Sequence, residues 1–244
     1  MSSSQNLPLV EPAEYAERVL AASELPDVAR EASSLLQECR ARSLISDWEG
    51  CPKVDDFARL IVATSRVLPA GGSIETGVYQ GGTAGPLLCV AAAESFHVSI
   101  DPYGLPSQSY VVQDYGNWPV VRHTLTKLTQ LAEERQINFC HYLMDSATFV
   151  RADLLTHPGR FRIVHLDGDH SQEAVEMELR YFRRRLTGPA LFIMDDHDEH
   201  FPGVEAALQT TGQGMVRVLH RRYDFPNYGI AGFSAWIHPG ISKS

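Results

Sequence analysis

"FRIVHLDGDHSQEAVEMEL" occupies residues 161–179. The apolar run at its start reads as a buried strand, and it surfaces in a cluster of acids and an imidazole: Asp167, Gly168, Asp169, His170. A strongly amphipathic helix follows over 171–186, with Tyr181, Phe182 and Leu186 facing inward and the arginines toward water. A strand that passes through a short turn into a helix is a βα unit, and its acids sit at the carboxyl end of the strand. The stretch "ALFIMDDHDEH" (190–200) repeats the pattern, with Asp195, Asp196 and His197 where the strand ends.

Outward from these two units the rhythm continues. Strand-like segments at 72–77, 96–101 and 137–145 precede them, separated by helical segments at 81–95, 120–136 and 146–157. A short helix at 203–213 comes after, and then two strands, 214–223 and 228–239, with no helix between them. Alternation of strand and helix predicts a parallel sheet covered on both faces. The closing pair adds an antiparallel strand. Upstream, helices are expected over 11–23, 25–44 and 55–68, and residues 1–10 are too small and polar to bury. The expected organisation is a helical cap over 1–54 and a main domain over 55–244.

The totals narrow the classes of function. The chain has 244 residues and 44% hydrophobic content, enough for one full core. Its net charge of −9 opposes a phosphate backbone, so nucleic acid is not an expected partner. No apolar run approaches the roughly 18 residues of a membrane span, and no secretory leader is evident. Cys39, Cys51, Cys89 and Cys140 are scattered without a CxxC pair, which suits free thiols in a reducing cytosol. The expected location is therefore the cytoplasm.

The first strand ends in "IETGVYQGGTA" (74–84). Gly77, Gly81 and Gly82 let the backbone turn tightly and approach a ligand. The spacing is not the GxGxxG of dinucleotide folds. Glu75, just before the turn, would repel a pyrophosphate but suits a cationic ammonium or sulfonium group. Asp101 ends the second strand, where a carboxylate can accept both hydroxyls of a ribose. Asp145 ends the third, within reach of an adenine edge. Each could equally be a turn or helix cap, but their succession at strand ends favours a nucleoside-type ligand.

The run Glu75-x-Gly77-x-x-x-Gly81, with Asp101 and the terminal hairpin, resembles the class I S-adenosylmethionine-dependent methyltransferases over about residues 55–240. "IETGVYQGGT", "SIDPYG", "LDGDHSQEAV" and "MDDHDEHFPGV" are similar, more narrowly, to the metal-dependent sugar O-methyltransferases of macrolide and aminocoumarin antibiotic pathways. The resemblance implies a Rossmann-like α/β fold with a seven-stranded, mostly parallel sheet in the order 3-2-1-4-5-7-6. It implies S-adenosylmethionine bound by Glu75, Gly77, Tyr79, Gly81, Gly82, Thr83, Asp101, Asp145 and Asp167. It also implies a hydroxylated small-molecule acceptor. In the sugar-modifying members, loops and the N-terminal segment close over the acceptor, often within a homo-oligomer. The long segment 102–119, with Tyr103, Tyr110, Tyr115 and Trp118, is a candidate for such a loop.

In that sheet order strands four and five are neighbours, so Asp167, Asp195 and Asp196 converge. Bare carboxylates repel, and an all-oxygen set favours Mg²⁺ or another hard divalent cation. Members of this type use the positions of Asp167, Asp195 and Asp196 as metal ligands. The catalytic base is Asp169 in some and His170 in others; Asp169 is slightly favoured, since His170 could cap the next helix. His197 is a third candidate, and His165 reads as a packed core histidine. Two alternatives stay open. One is a metal-independent N- or phenol O-methyltransferase. The other is an iron-dependent hydroxylase built on His170, His197 and Asp167.

Overall fold

A single seven-stranded sheet in the order β3-β2-β1-β4-β5-β7-β6 organises the chain. The computed structural model describes residues 10–44, 51–103, 118–155, 160–225 and 229–240. The strands are β1 (Gly72–Thr76), β2 (Phe96–Ile100), β3 (Asn138–Tyr142), β4 (Phe161–Leu166), β5 (Ala190–Asp195), β6 (Val216–Phe225) and β7 (Gly229–His238). The first five are parallel; β7 runs antiparallel between β5 and β6. Sheet order and the inserted strand both match the sequence expectation.

The central strands β1, β4 and β5 are buried throughout; β5 accordingly opens on a continuous apolar run, while β1 and β4 also bury the polar Ser73, Glu75, Thr76, Arg162 and His165. Helices cover both faces. One face packs against α1 (Pro12–Ser23), α2 (Pro26–Ala41), α3 (Pro52–Val67), α4 (Ala84–Val90) and α5 (Trp118–Glu134), around Phe57, Leu60, Ile61, Ile163 and Ile193. The other packs against α6 (Ser146–Arg151), α7 (Gln172–Arg183) and α8 (Pro202–Thr211), around Phe149, Val164, Phe182 and Phe192.

Four elements differ from the sequence reading, among them the helix expected over 146–157, which ends at Arg151. The helix expected from Asp55 starts at Pro52, because proline is well placed in a first helical turn. The helix expected over 81–95 shortens to α4, since residues 81–83 stay in the glycine turn. Trp118 begins α5 rather than ending a loop. Tyr110 and Tyr115 lie outside the described residues, as do residues 1–9.

Strand register decides which face each polar residue meets. Glu75 pairs with His165, and His165 with Ile193. Side chains alternate along a strand, so Glu75, His165, Asp167 and Asp195 share the face toward α3. Thr76 and Leu166 face α7, where Glu178 is buried.

Candidate active site

Two polar regions meet at the carboxyl ends of the central strands. The first is the turn after β1. Gly77 adopts φ +78°, and a Cβ there would run into the carbonyl oxygen of Asp167. Only glycine allows β1 and β4 to surface this close together. Tyr79 follows at φ +47° and is 47% exposed. Gly81 repeats the left-handed geometry at φ +79°, and its position is packed by Leu44, Thr124 and Leu128. Gly82 has open space around it.

Asp101 clamps this turn from β2. One carboxylate oxygen accepts the N–H of Val78 at 2.6 Å and of Tyr79 at 2.8 Å; the other accepts Tyr103 N–H at 2.6 Å. Thr83 precedes α4 and donates its hydroxyl to Glu75 Oε1. That same oxygen lies 3.0 Å from His165 Nδ1. Glu75 is wholly buried, and burial drives its pKa up. Its Oε2 has no protein partner, which leaves one oxygen for a cationic ligand. Asp145 caps α6, accepting Thr148 N–H at 2.7 Å.

The second region joins the ends of β4 and β5. Asp167 lies close to Asp195 and to Asp196. His170 lies between two of them, its Nε2 3.6 Å from Asp167 Oδ1 and its Nδ1 3.8 Å from Asp196 Oδ2. Asp196 reaches this position through a left-handed backbone at φ +47°, which aspartate tolerates. Ligand atoms from Asp167, His170 and Asp196 lie within 4.8 Å of one another, as do those from His165, Asp167 and Asp195. The two sets share Asp167, which is grouped with Asp195 in one and with Asp196 in the other.

Electrostatics tie the cluster together. Burial, then the charge of Asp195, push Asp167 up to about 6. Burial opposes protonation of His170, but Asp167, Asp196 and Asp195 outweigh it and lift the ring to about 9. Asp169 does not join them: its Oδ1 accepts Ser171 N–H at 2.9 Å, and Ser171 caps α7. Asp169 thus lies at the helix start and His170 among the acids. His197 is 3% exposed and turned away, with Nδ1 2.6 Å from Ser234 Oγ and Nε2 2.7 Å from Glu205. Among the described residues, no cluster joins His170, His197 and Asp167, so the facial triad of the hydroxylase alternative is not formed.

A cleft of about 340 Å³ opens beside the cluster, lined by Gly168, Asp169, His170, Ser171, His200 and Phe201. Phe201 is 39% exposed, its ring centroid 4.9 Å from that of His170.

Solved structures share this architecture. The O-methyltransferase from Bacillus cereus, in complex with SAH, aligns with a TM-score of 0.55 at 10% identity, covering 88% of this chain and 91% of its own. TomG from Streptomyces achromogenes, an O-methyltransferase involved in tomaymycin synthesis and in complex with SAM, gives 0.51 at 14% identity, with 98% and 94% covered. The N-methyltransferase NodS from Bradyrhizobium japonicum gives 0.53 at 8% identity, with 78% and 99% covered. The fold is that of the class I methyltransferases. No protein-family model matches the sequence, and no curated protein does. At these identities the likeness speaks for the fold alone, and this methyltransferase fold serves both oxygen and nitrogen acceptors among the neighbours.

Within the methyltransferase fold, one residue of the acid cluster escaped sequence reasoning, and a second makes polar contacts that its core reading did not include. Lys53, from the first turn of α3, places Nζ 2.6 Å from Asp195 Oδ1 and 3.3 Å from Asp196 Oδ1. Burial disfavours its charge, but Asp195, Asp196 and Asp167 hold its pKa above the ordinary lysine value. The three carboxylates are therefore not bare, as the sequence alone suggested. His165 is a core histidine as expected, packed edge-on against Phe57. Yet it also links Glu75 of the glycine turn to Asp195, whose Oδ2 is 4.0 Å from its Nε2. A cation in the first turn of a helix runs against the helix dipole.

Proposed function

We propose that the chain is an S-adenosylmethionine-dependent O-methyltransferase acting on a hydroxyl of a small natural product, a sugar or cyclitol hydroxyl above others. The observation that carries the reading is the convergence of Asp167, His170, Asp195 and Asp196 beside the β1 glycine turn, at the mouth of a cleft sized for a small ligand. Gly77, Tyr79, Gly81, Gly82 and Thr83 would cradle the cofactor, with Asp101, Asp145 and Asp167 along its length and Glu75 Oε2 toward its sulfonium side.

Asp167 with Asp195 and His165, or Asp167 with Asp196 and His170, would hold a divalent cation such as Mg²⁺, the carboxylates serving as hard oxygen donors. Such an ion would lower the pKa of a ligated hydroxyl and hold the acceptor in line with the methyl group. His170 is the base the geometry favours. Its ring lines the cleft, and its buried Nε2, 3.6 Å from Asp167 Oδ1, makes no hydrogen bond within the protein. The surrounding carboxylates keep the ring protonated near neutrality, so it takes up the hydroxyl proton only where their charge is offset. Phe201 offers a ring face to the acceptor.

Lys53 supports a second reading, in which its ammonium alone neutralises Asp195 and Asp196 and methyl transfer needs no metal. One experiment separates the two. Cofactor binding is measured by calorimetry, and methyl transfer to hydroxylated acceptors is measured with and without a chelator. The first reading expects chelation, and Asp195→Ala, to lower turnover by at least about a hundredfold. Turnover indifferent to both would leave the metal-free reading, and failure to bind S-adenosylmethionine or its demethylated product would remove both.

A further inference from the structure

Lys53 stands where a helix ordinarily rejects a cation. It is the second residue of α3, at the positive end of the helix dipole, and only 11% of its side chain is exposed. What holds it there is the pair Asp195 and Asp196, with Nζ on the Oδ1 atom of each. The opposite oxygens face histidines: Asp195 Oδ2 is 4.0 Å from His165 Nε2, and Asp196 Oδ2 is 3.8 Å from His170 Nδ1. His165 is fully buried, and its Nε2, aimed at Asp195, has no hydrogen-bond partner. The carboxylates thus have an ammonium on one side and an imidazole on the other, with the nitrogen facing Asp195 unsatisfied. A divalent ion and an ammonium cannot both sit on the same carboxylate oxygens in so buried a place, because like charges repel strongly there.

We propose that Lys53 is a resident counter-cation that competes with a divalent ion for Asp195 and Asp196, so that the ion enters only as the Lys53 ammonium withdraws. The inference rests on the ion-assisted reading above. It makes ion affinity a property of the first turn of α3 as well as of the carboxylates. It also gives the protein an ion-free state in which the acids remain neutralised.

The test uses the full chain and Mn²⁺ as probe, with binding followed by calorimetry for the wild type, Lys53→Met and Lys53→Arg. Methionine keeps the buried stem and removes the charge; arginine keeps the charge. Lys53→Met should bind Mn²⁺ at least about tenfold more tightly than the wild type, and Lys53→Arg within roughly threefold of it. Equal or weaker binding by Lys53→Met overturns the competition, and if the wild type still binds Mn²⁺, the ion-assisted reading survives that result. Absence of Mn²⁺ binding in both, with S-adenosylhomocysteine binding intact, removes the two together. A second measurement avoids substitution. In wild-type protein carrying isotope-labelled lysine, Mg²⁺ should shift the Lys53 side-chain resonance, assigned by its loss in Lys53→Arg. A resonance unmoved through Mg²⁺ saturation also overturns the proposal.

Discussion

The two regions at the strand ends hold Asp101 on one side and Asp195 and Asp196 on the other by opposite means. In the turn after β1, Asp101 is held by three backbone N–H groups from residues within the adjoining loops. In the acid cluster, Asp195 and Asp196 are held by Lys53, 142 and 143 positions away along the chain, and Asp196 also faces the imidazole of His170. Backbone donors are fixed by the fold and carry no titratable proton. Side-chain cations can be withdrawn, exchanged or deprotonated. The first region is built to keep a shape and the second to change its occupant.

The sharpest way to break this contrast is at the point where the regions touch. Gly77→Ala puts a Cβ against the Asp167 carbonyl while forcing a left-handed backbone on a residue that resists it. The expected loss is about 4 kcal/mol or more, enough to abolish folding of a marginal domain. Denaturant unfolding of the purified variant, or its failure to accumulate in soluble form, checks this. A variant as stable as the wild type would mean that β1 and β4 can separate at their ends without cost.

A paired substitution probes the difference in kind. Asp195→Asn leaves the Lys53 ammonium short of charge in a buried site and should cost about 3 kcal/mol. Asp101→Asn still offers an amide oxygen to backbone donors, so its cost should be nearer 1 kcal/mol. Urea unfolding of both variants measures the gap. Equal losses would erase the distinction between main-chain and side-chain satisfaction.

What the sequence revealed follows the same division. Periodicity and order placed all seven strands, and the acids at their ends followed from where each apolar run stopped. Sheet neighbours then brought Asp167 to Asp195 and Asp196. Lys53 was hidden because a single lysine in an otherwise ordinary helix has no period and no local partner; only the tertiary docking of α3 onto β5 gives it a role. The placement of Asp169 at the helix start and His170 among the acids was hidden for another reason. Adjacent residues in a turn point in different directions, and which one turns inward depends on backbone angles that composition does not fix. The Glu75–His165 pair needed the register of β1 against β4, a detail finer than strand order.

The smallest effect concerns an acid that belongs to neither region but lies beneath both. Glu178 sits on α7, 1% exposed, with Thr76 Oγ1 donating to it at 3.4 Å and its Oε1 unpartnered. Burial is the main cause that lifts its pKa from 4.5 to about 7. Because the folded-state value is the higher one, the native state holds its proton longer than the unfolded chain does. Stability from this residue is therefore full below about pH 4.5 and falls as pH rises through 7, by on the order of 3 kcal/mol. Glu178→Gln keeps the shape and removes the ionisation. The variant should match the wild type near pH 5 and exceed it by roughly that amount at pH 8, read as the difference between two urea-unfolding series. Other groups titrate over the same range, His170 and Asp167 among them, but they are common to both proteins and cancel in the difference. A wild type that gains on the variant as pH rises would mean that the ionised Glu178 has found a cation, and the nearest source of one is His170, on the other side of Gly168. In that event the buried acid would have to be counted with Asp167 and Asp196 among the groups that hold the imidazole in place, and the acid cluster would extend through the sheet to its second face.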